Sequence, residues 1–169
     1  NDYFGAAVTG IGDIDGDGIN DIAVGASGDD DGGGESGAAY VLFLNSDGTV
    51  RDEQKITTGI GGFTGPLSSG DRFGGAVAGI GDVDGDGVND LAVGAYGDDD
   101  GGSDRGAVYV LFLDPDGTVG SEQKISSSAG GLGAVLANSD FFGTSVGGLG
   151  DLDADGVNDL VIGANGDDD

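Results

Sequence analysis

Four aspartates crowd into nine residues of the stretch GDIDGDGIND: Asp13, Asp15, Asp17 and Asp21. Carboxylates this close repel one another, so the arrangement calls for a counter-charge. It returns as GDVDGDGVND, with Asp82, Asp84, Asp86 and Asp90, and as GDLDADGVND, with Asp151, Asp153, Asp155 and Asp159. Counted from its first aspartate, each loop offers carboxylate oxygens at positions one, three, five and nine. Position seven (Ile19, Val88 or Val157) can offer only its backbone carbonyl, and position six is a glycine (Gly18, Gly87 or Gly156) at the point where the chain must bend. Hard oxygen donors around a glycine bend make the donor set of a Ca²⁺ loop.

An EF-hand is excluded, because position twelve is Val24, Val93 or Ile162 within an expected strand, not a glutamate followed by a helix. Mg²⁺ suits the loops less well, since it takes few carboxylates and retains its waters. A single copy would read equally as a solvated acidic turn. Three copies in register with the flanking strands point instead to one Ca²⁺ per loop, three in the chain.

Those loops are held by a repeat. Phe4-Gly5 returns as Phe73-Gly74 and Phe142-Gly143, and Val24-Gly25-Ala26 as Val93-Gly94-Ala95 and Ile162-Gly163-Ala164, each step being 69 residues. The units are 1–72, 73–141 and the first half of a third, 142–169. Each full unit reads as four short antiparallel strands. One follows Phe-Gly and ends at the acidic loop; the second leaves that loop (DIAVGA, DLAVGA, DLVIGA). The third is GAAYVLFL or GAVYVLFL, and the fourth is TVRDEQKIT or TVGSEQKIS. Turns at NSDGT and DPDGT join the last two. The third strand is apolar on both faces, so both must be covered. Four-stranded units of fixed period, covered on two sides by their neighbours, describe an all-β fold of β-propeller blades. Two and a half blades are an incomplete ring. The chain is therefore expected not to stand alone as a monomer but to be completed by further blades of the same chain or by identical chains.

The composition limits the partners. The chain has 169 residues, 40 of them glycine, with 32 Asp plus Glu against five Lys plus Arg and a formal charge of −27. Nucleic acid and anionic membranes require a basic face and are not expected partners, and no apolar run is long enough for membrane insertion. The absence of His and Cys removes two common catalytic and metal-binding chemistries. The aspartates lie in copies of one loop rather than in an acid–base pair, so catalysis is not expected. A second acidic cluster follows the second strand of each unit: Asp29, Asp30 and Asp31 with Glu35, then Asp98, Asp99 and Asp100 with Asp104, then Asp167, Asp168 and Asp169. It reads as solvated loops, with a second cation site or a partner-binding rim as the alternatives. Lys55 and Lys124 read as solvated charges on an exposed strand.

Phe-Gly, an Asp-rich loop and then Val-Gly-Ala together resemble the FG-GAP repeat of the integrin α-subunit propeller and its bacterial relatives, over essentially the whole chain. The resemblance implies a seven-bladed propeller with Ca²⁺ in the hairpin between the first two strands of a blade. By position it assigns the ligands to Asp13, Asp15, Asp17, Ile19 and Asp21; to Asp82, Asp84, Asp86, Val88 and Asp90; and to Asp151, Asp153, Asp155, Val157 and Asp159. Ser27, Tyr96 and Asn165 depart from the proline that often follows Gly-Ala in the family. There is no Asp-x-Ser-x-Ser adhesion motif. The near-identity of the copies resembles bacterial surface proteins. The function this implies is an extracellular or cell-surface Ca²⁺-binding module for adhesion or surface assembly, its ligand an extracellular protein or glycan. Alternatives are an accessory propeller of a secreted hydrolase and a structural subunit of an extracellular filament.

Overall fold

The structure is a computed structural model and describes residues 1–168. Ten strands, and no helix among the described residues, build two antiparallel four-stranded sheets and one two-stranded sheet. The first sheet runs in the order β1 (Phe4–Gly12), β2 (Asp21–Ala26), β3 (Ala38–Leu44), β4 (Val50–Ile56). The second repeats it with β5 (Phe73–Gly81), β6 (Asp90–Ala95), β7 (Ala107–Leu113) and β8 (Val119–Ser126). The third pairs β9 (Phe142–Gly150) with β10 (Asp159–Ala164). These are propeller blades in succession, without a closed ring.

The double-sided strand behaves as its composition requires. Successive residues of a strand face opposite ways. On β7, Tyr109, Leu111 and Leu113 join the core shared with the first blade, whereas Val108 and Val110 join the core shared with the third unit. The fourth strands β4 and β8 are the outer edges; β4 is exposed over its first four residues, whereas β8 mixes exposed and half-buried positions between buried ends. The first interblade core centres on an aromatic cluster. Phe63, Phe73 and Tyr109 lie with ring centroids 5.1 Å (Phe63–Phe73), 5.3 Å (Phe63–Tyr109) and 5.6 Å (Phe73–Tyr109) apart. Phe63 comes from the long connection between β4 and β5, so that connection fills the gap between blades as well as linking them.

The Phe-Gly and Val-Gly-Ala motifs are two halves of one contact. β5 packs between β1 and β9, and the glycines let the backbones of adjacent blades approach. A Cβ on Gly25 would fall 1.9 Å from the carbonyl oxygen of Gly74, and one on Gly94 would fall 2.0 Å from that of Gly143. Gly74 also has φ of +84°, a conformation open to glycine. Beside it, Phe73 N–H donates to the Ser36 carbonyl at 2.9 Å and Phe142 N–H to the Arg105 carbonyl at 2.9 Å. Burial of the motif phenylalanine follows from this docking. Phe73 and Phe142, each with a blade before them, are 0% and 7% exposed; Phe4, with no preceding blade among the described residues, is 57% exposed.

Candidate metal centre

Each acidic loop closes the hairpin between the first two strands of its blade, opposite Gly12↔Asp21 in the first and Gly81↔Asp90 in the second. The first aspartate organises the loop by accepting backbone N–H groups. Asp13 Oδ1 accepts from Gly16 at 2.9 Å and Asp17 at 3.0 Å, and its Oδ2 accepts from Gly18 at 2.9 Å. Asp82 does the same for Gly85, Asp86 and Gly87 at 2.7, 3.1 and 2.9 Å. In the third loop Asp151 accepts from Asp155 and Gly156, both at 3.0 Å. The position-six glycines have φ of +91°, +97° and +94°, which is the bend that the spacing called for. Position four also turns left-handed; it is glycine in the first two loops and Ala154, with φ of +62°, in the third.

These bonds draw the carboxylates inward. Carboxylate oxygens of Asp13, Asp15 and Asp17 lie within 4.8 Å of one another, as do those of Asp82, Asp84 and Asp86, and of Asp151, Asp153 and Asp159. Two oxygens on one Ca²⁺, each at about 2.3–2.6 Å, lie no more than about 5 Å apart. An all-oxygen donor set at this spacing fits a hard cation.

Position nine is not among the clustered carboxylates of the first two loops, and there it ties the loop to the sheet. Asp21 is 1% exposed; its Oδ2 accepts from Ile14 N–H at 3.2 Å and its Oδ1 from Leu44 N–H at 3.1 Å, which ties the loop to the end of β3. Asp90 repeats this with Val83 at 2.8 Å and Leu113 at 3.1 Å. Burial raises the pKa of both, and the neighbouring loop carboxylates push the same way against these backbone bonds. Asp159 accepts from Leu152 at 2.7 Å and joins the carboxylate cluster of its own loop. Ile19, Val88 and Val157 each donate the backbone N–H to the position-five aspartate at 2.8 Å.

Three features escaped the sequence reading. The asparagine at position eight bridges to the preceding blade: Asn89 Nδ2 donates to the Ile11 carbonyl at 2.8 Å and Asn158 Nδ2 to the Ile80 carbonyl at 2.7 Å. Arg51, on β4, forms ion pairs with Asp15 and Asp17 of the first loop. The third feature revises the reading of the second acidic cluster. Lys55 Nζ lies 2.7 Å from Asp29 and 2.6 Å from Asp31, and Lys124 Nζ lies 2.8 Å from both Asp98 and Asp100. Asp29 and Asp98 are buried, so in the two full blades part of each cluster is folded around an internal lysine and not left in solvent. Burial disfavours the Lys124 charge, but the Asp100 and Asp98 carboxylates outweigh it and raise its pKa. The identical spacing of the lysines, Lys55 and Lys124, was the available signal. In the third unit Asp169 lies outside the described residues. Among the departures from the family pattern, Tyr96 is engaged by Arg72, whose guanidinium carbon is 5.6 Å from the ring centroid and whose Nη1 is 3.0 Å from the hydroxyl.

Comparison with known proteins places the repeats in a family. The FG-GAP repeat family matches residues 4–42 and 73–111. Integrin alpha-5 of Xenopus laevis is 35% identical over 169 residues, covering 97% of this chain and 15% of its own length. Integrin alpha-PS5 of Drosophila melanogaster is 35% identical over 167 residues, with 98% and 15% covered. Human integrin alpha-IIb is 36% identical over 172 residues, with 97% and 15% covered. The chain thus spans about 15% of the length of these curated relatives.

Proposed function

Because this chain is built of FG-GAP repeats, we propose that it is a calcium-stabilised propeller module of an extracellular or cell-surface protein of bacterial type, serving adhesion or surface assembly without catalysis. The observation that carries the reading is the threefold recurrence of a carboxylate cluster whose oxygens lie within 4.8 Å of one another. The blades are 1–72, 73–141 and 142–169. In each acidic loop the aspartates at positions one, three, five and nine and the carbonyl at position seven hold one Ca²⁺. The ion cancels the mutual repulsion of the carboxylates and fixes the hairpin. Through Asn89 and Asn158, a fixed loop also fixes its blade against the preceding one. Calcium therefore serves the stacking of the module. Its affinity is that of extracellular modules, on the order of 10⁻⁴–10⁻³ M.

The likeness to integrin alpha subunits supports the adhesive role, its ligand being an extracellular protein or glycan. The immediate protein partner is another blade of the same kind, in the same chain or in an identical one. Phe4 and Val8 are 57% and 65% exposed, whereas Phe73 and Val77, their counterparts beneath a preceding blade, are 0% and 7% exposed.

Thermal melts in chelator and in millimolar calcium test the reading. A ligand that binds the native state raises the melting temperature by mass action, so calcium should raise it, and Asp86→Ala should reduce the rise. Coincident melts with and without calcium would refute it.

A further inference from the structure

The first and second acidic loops have the same ligand positions but different surroundings. Asp15 Oδ1 accepts from Asp17 N–H and Asp17 Oδ1 accepts from Ile19 N–H, and neither Oδ2 atom takes a backbone donor of the loop. Arg51 takes both: Nη2 pairs with Asp15 Oδ2 and Nη1 with Asp17 Oδ2. The guanidinium is also held from the side, with its carbon 5.7 Å from the ring centroid of Phe43. Asp84 and Asp86 have the same internal bonds, at 3.2 and 2.8 Å. The residue 69 positions after Arg51, however, is Gly120, and among the described residues no ion pair reaches the second loop.

The geometry points to Arg51 as a resident cation that competes with Ca²⁺ for the first loop and makes it the weaker of two otherwise equivalent sites. This inference rests on the calcium reading of the loops. A guanidinium presents a fixed fork of donors to two carboxylates. An entering ion must displace that fork and then carry the charge of the displaced group nearby. The same contact relieves the repulsion between Asp15 and Asp17 when no metal is bound. The first blade thus keeps a folded loop at low calcium, while the second depends on the ion. Two copies of one aspartate pattern become two calcium thresholds within one module.

Backbone amides report each loop separately. The Gly16 and Gly18 N–H groups belong to the first loop, and those of Gly85 and Gly87 to the second. In a calcium titration of the whole chain followed by ¹H–¹⁵N NMR, the first pair should reach its midpoint at about three- to tenfold more calcium than the second, the size expected for displacing a partly exposed ion pair. Arg51→Met, which retains an unbranched chain over Phe43, should move the first midpoint down to the second and leave the second unchanged; Arg51→Gln should do the same. Midpoints that coincide in the wild type, or a first-loop midpoint unmoved by both substitutions, would overturn the inference while leaving the calcium sites standing. If neither pair of amides responds to calcium, the proposed function fails and the inference fails with it.

Discussion

Phe4 and Phe73 hold the same position in successive repeats, and within residues 1–168 only Phe73 packs beneath a preceding blade. This pair isolates the energy of blade stacking from that of the motif itself. Phe73 is fully buried and meets Phe63 and Tyr109 with centroid separations of 5.1 and 5.6 Å. Truncation to alanine removes a large ring from a closed core, which costs about 3–5 kcal/mol. In the 169-residue chain by itself Phe4 is 57% exposed and has one aromatic contact, an edge-on approach to Tyr40 at 5.2 Å; Phe4→Ala in that chain should cost no more than about 1 kcal/mol. For a chain of this size each kcal/mol lowers the melting temperature by about 2–4 °C. Phe73→Ala should therefore lower it by about 6–20 °C, and Phe4→Ala by no more than about 4 °C. Urea denaturation in saturating calcium, followed by far-ultraviolet circular dichroism, gives both free energies. Equal losses for the two variants would refute the docking of Phe-Gly onto the preceding blade.

Two further outcomes follow from buried charge. Lys124→Met keeps the aliphatic stem beside Tyr109 but leaves the buried carboxylate of Asp98, whose side chain is 3% exposed, without its cation. It should cost about 2–3 kcal/mol in urea denaturation, less than a fully buried pair because Asp100 remains in partial contact with water; an unchanged midpoint would show that the lysine is only a surface charge. Asp71 is 4% exposed, and burial pushes its pKa up to about 6, with Asp98 and Asp99 adding to the rise. The folded chain therefore holds a proton there that the unfolded chain releases near pH 4. This group's contribution is most favourable below pH 4 and is lost as the pH rises through about 6, by about 3 kcal/mol in total. Asp71→Asn keeps an acceptor for the Ser68 N–H (2.7 Å in the native chain) without the charge. In chelator it should be more stable than the native chain at pH 7 and equal to it near pH 4, and a gap that widens toward low pH would contradict this.

The architecture was legible because it is written several times. The 69-residue period, the doubly apolar AVYVLFL strand and the glycine bend of each loop all have single physical meanings, and each occupies its expected place. The loop carboxylates were legible for the same reason. What stayed hidden depends on contacts between residues far apart in sequence. Nothing near Lys124 says that its ammonium reaches Asp98 and Asp100, 26 and 24 residues earlier. Alternation along the fourth strand marked Lys55 and Lys124 as outward-facing, whereas their side chains are only 19% and 17% exposed and end on the acidic cluster. Arg51 escaped notice because the second repeat carries a glycine there, so the copy comparison that exposed every other motif hid this one. The roles of Asn89 and Asn158 require the neighbouring blade to be in place before they can be seen.

The central claim is that the acidic loops hold calcium, and equilibrium dialysis against radiolabelled calcium tests it most directly. The account predicts saturable uptake of three ions per chain in the millimolar range or below. A variant with Asp13→Asn, Asp82→Asn and Asp151→Asn, which removes the carboxylate that organises each loop, should lose that uptake. No saturable uptake by the native chain, or uptake left intact in the triple variant, would contradict it.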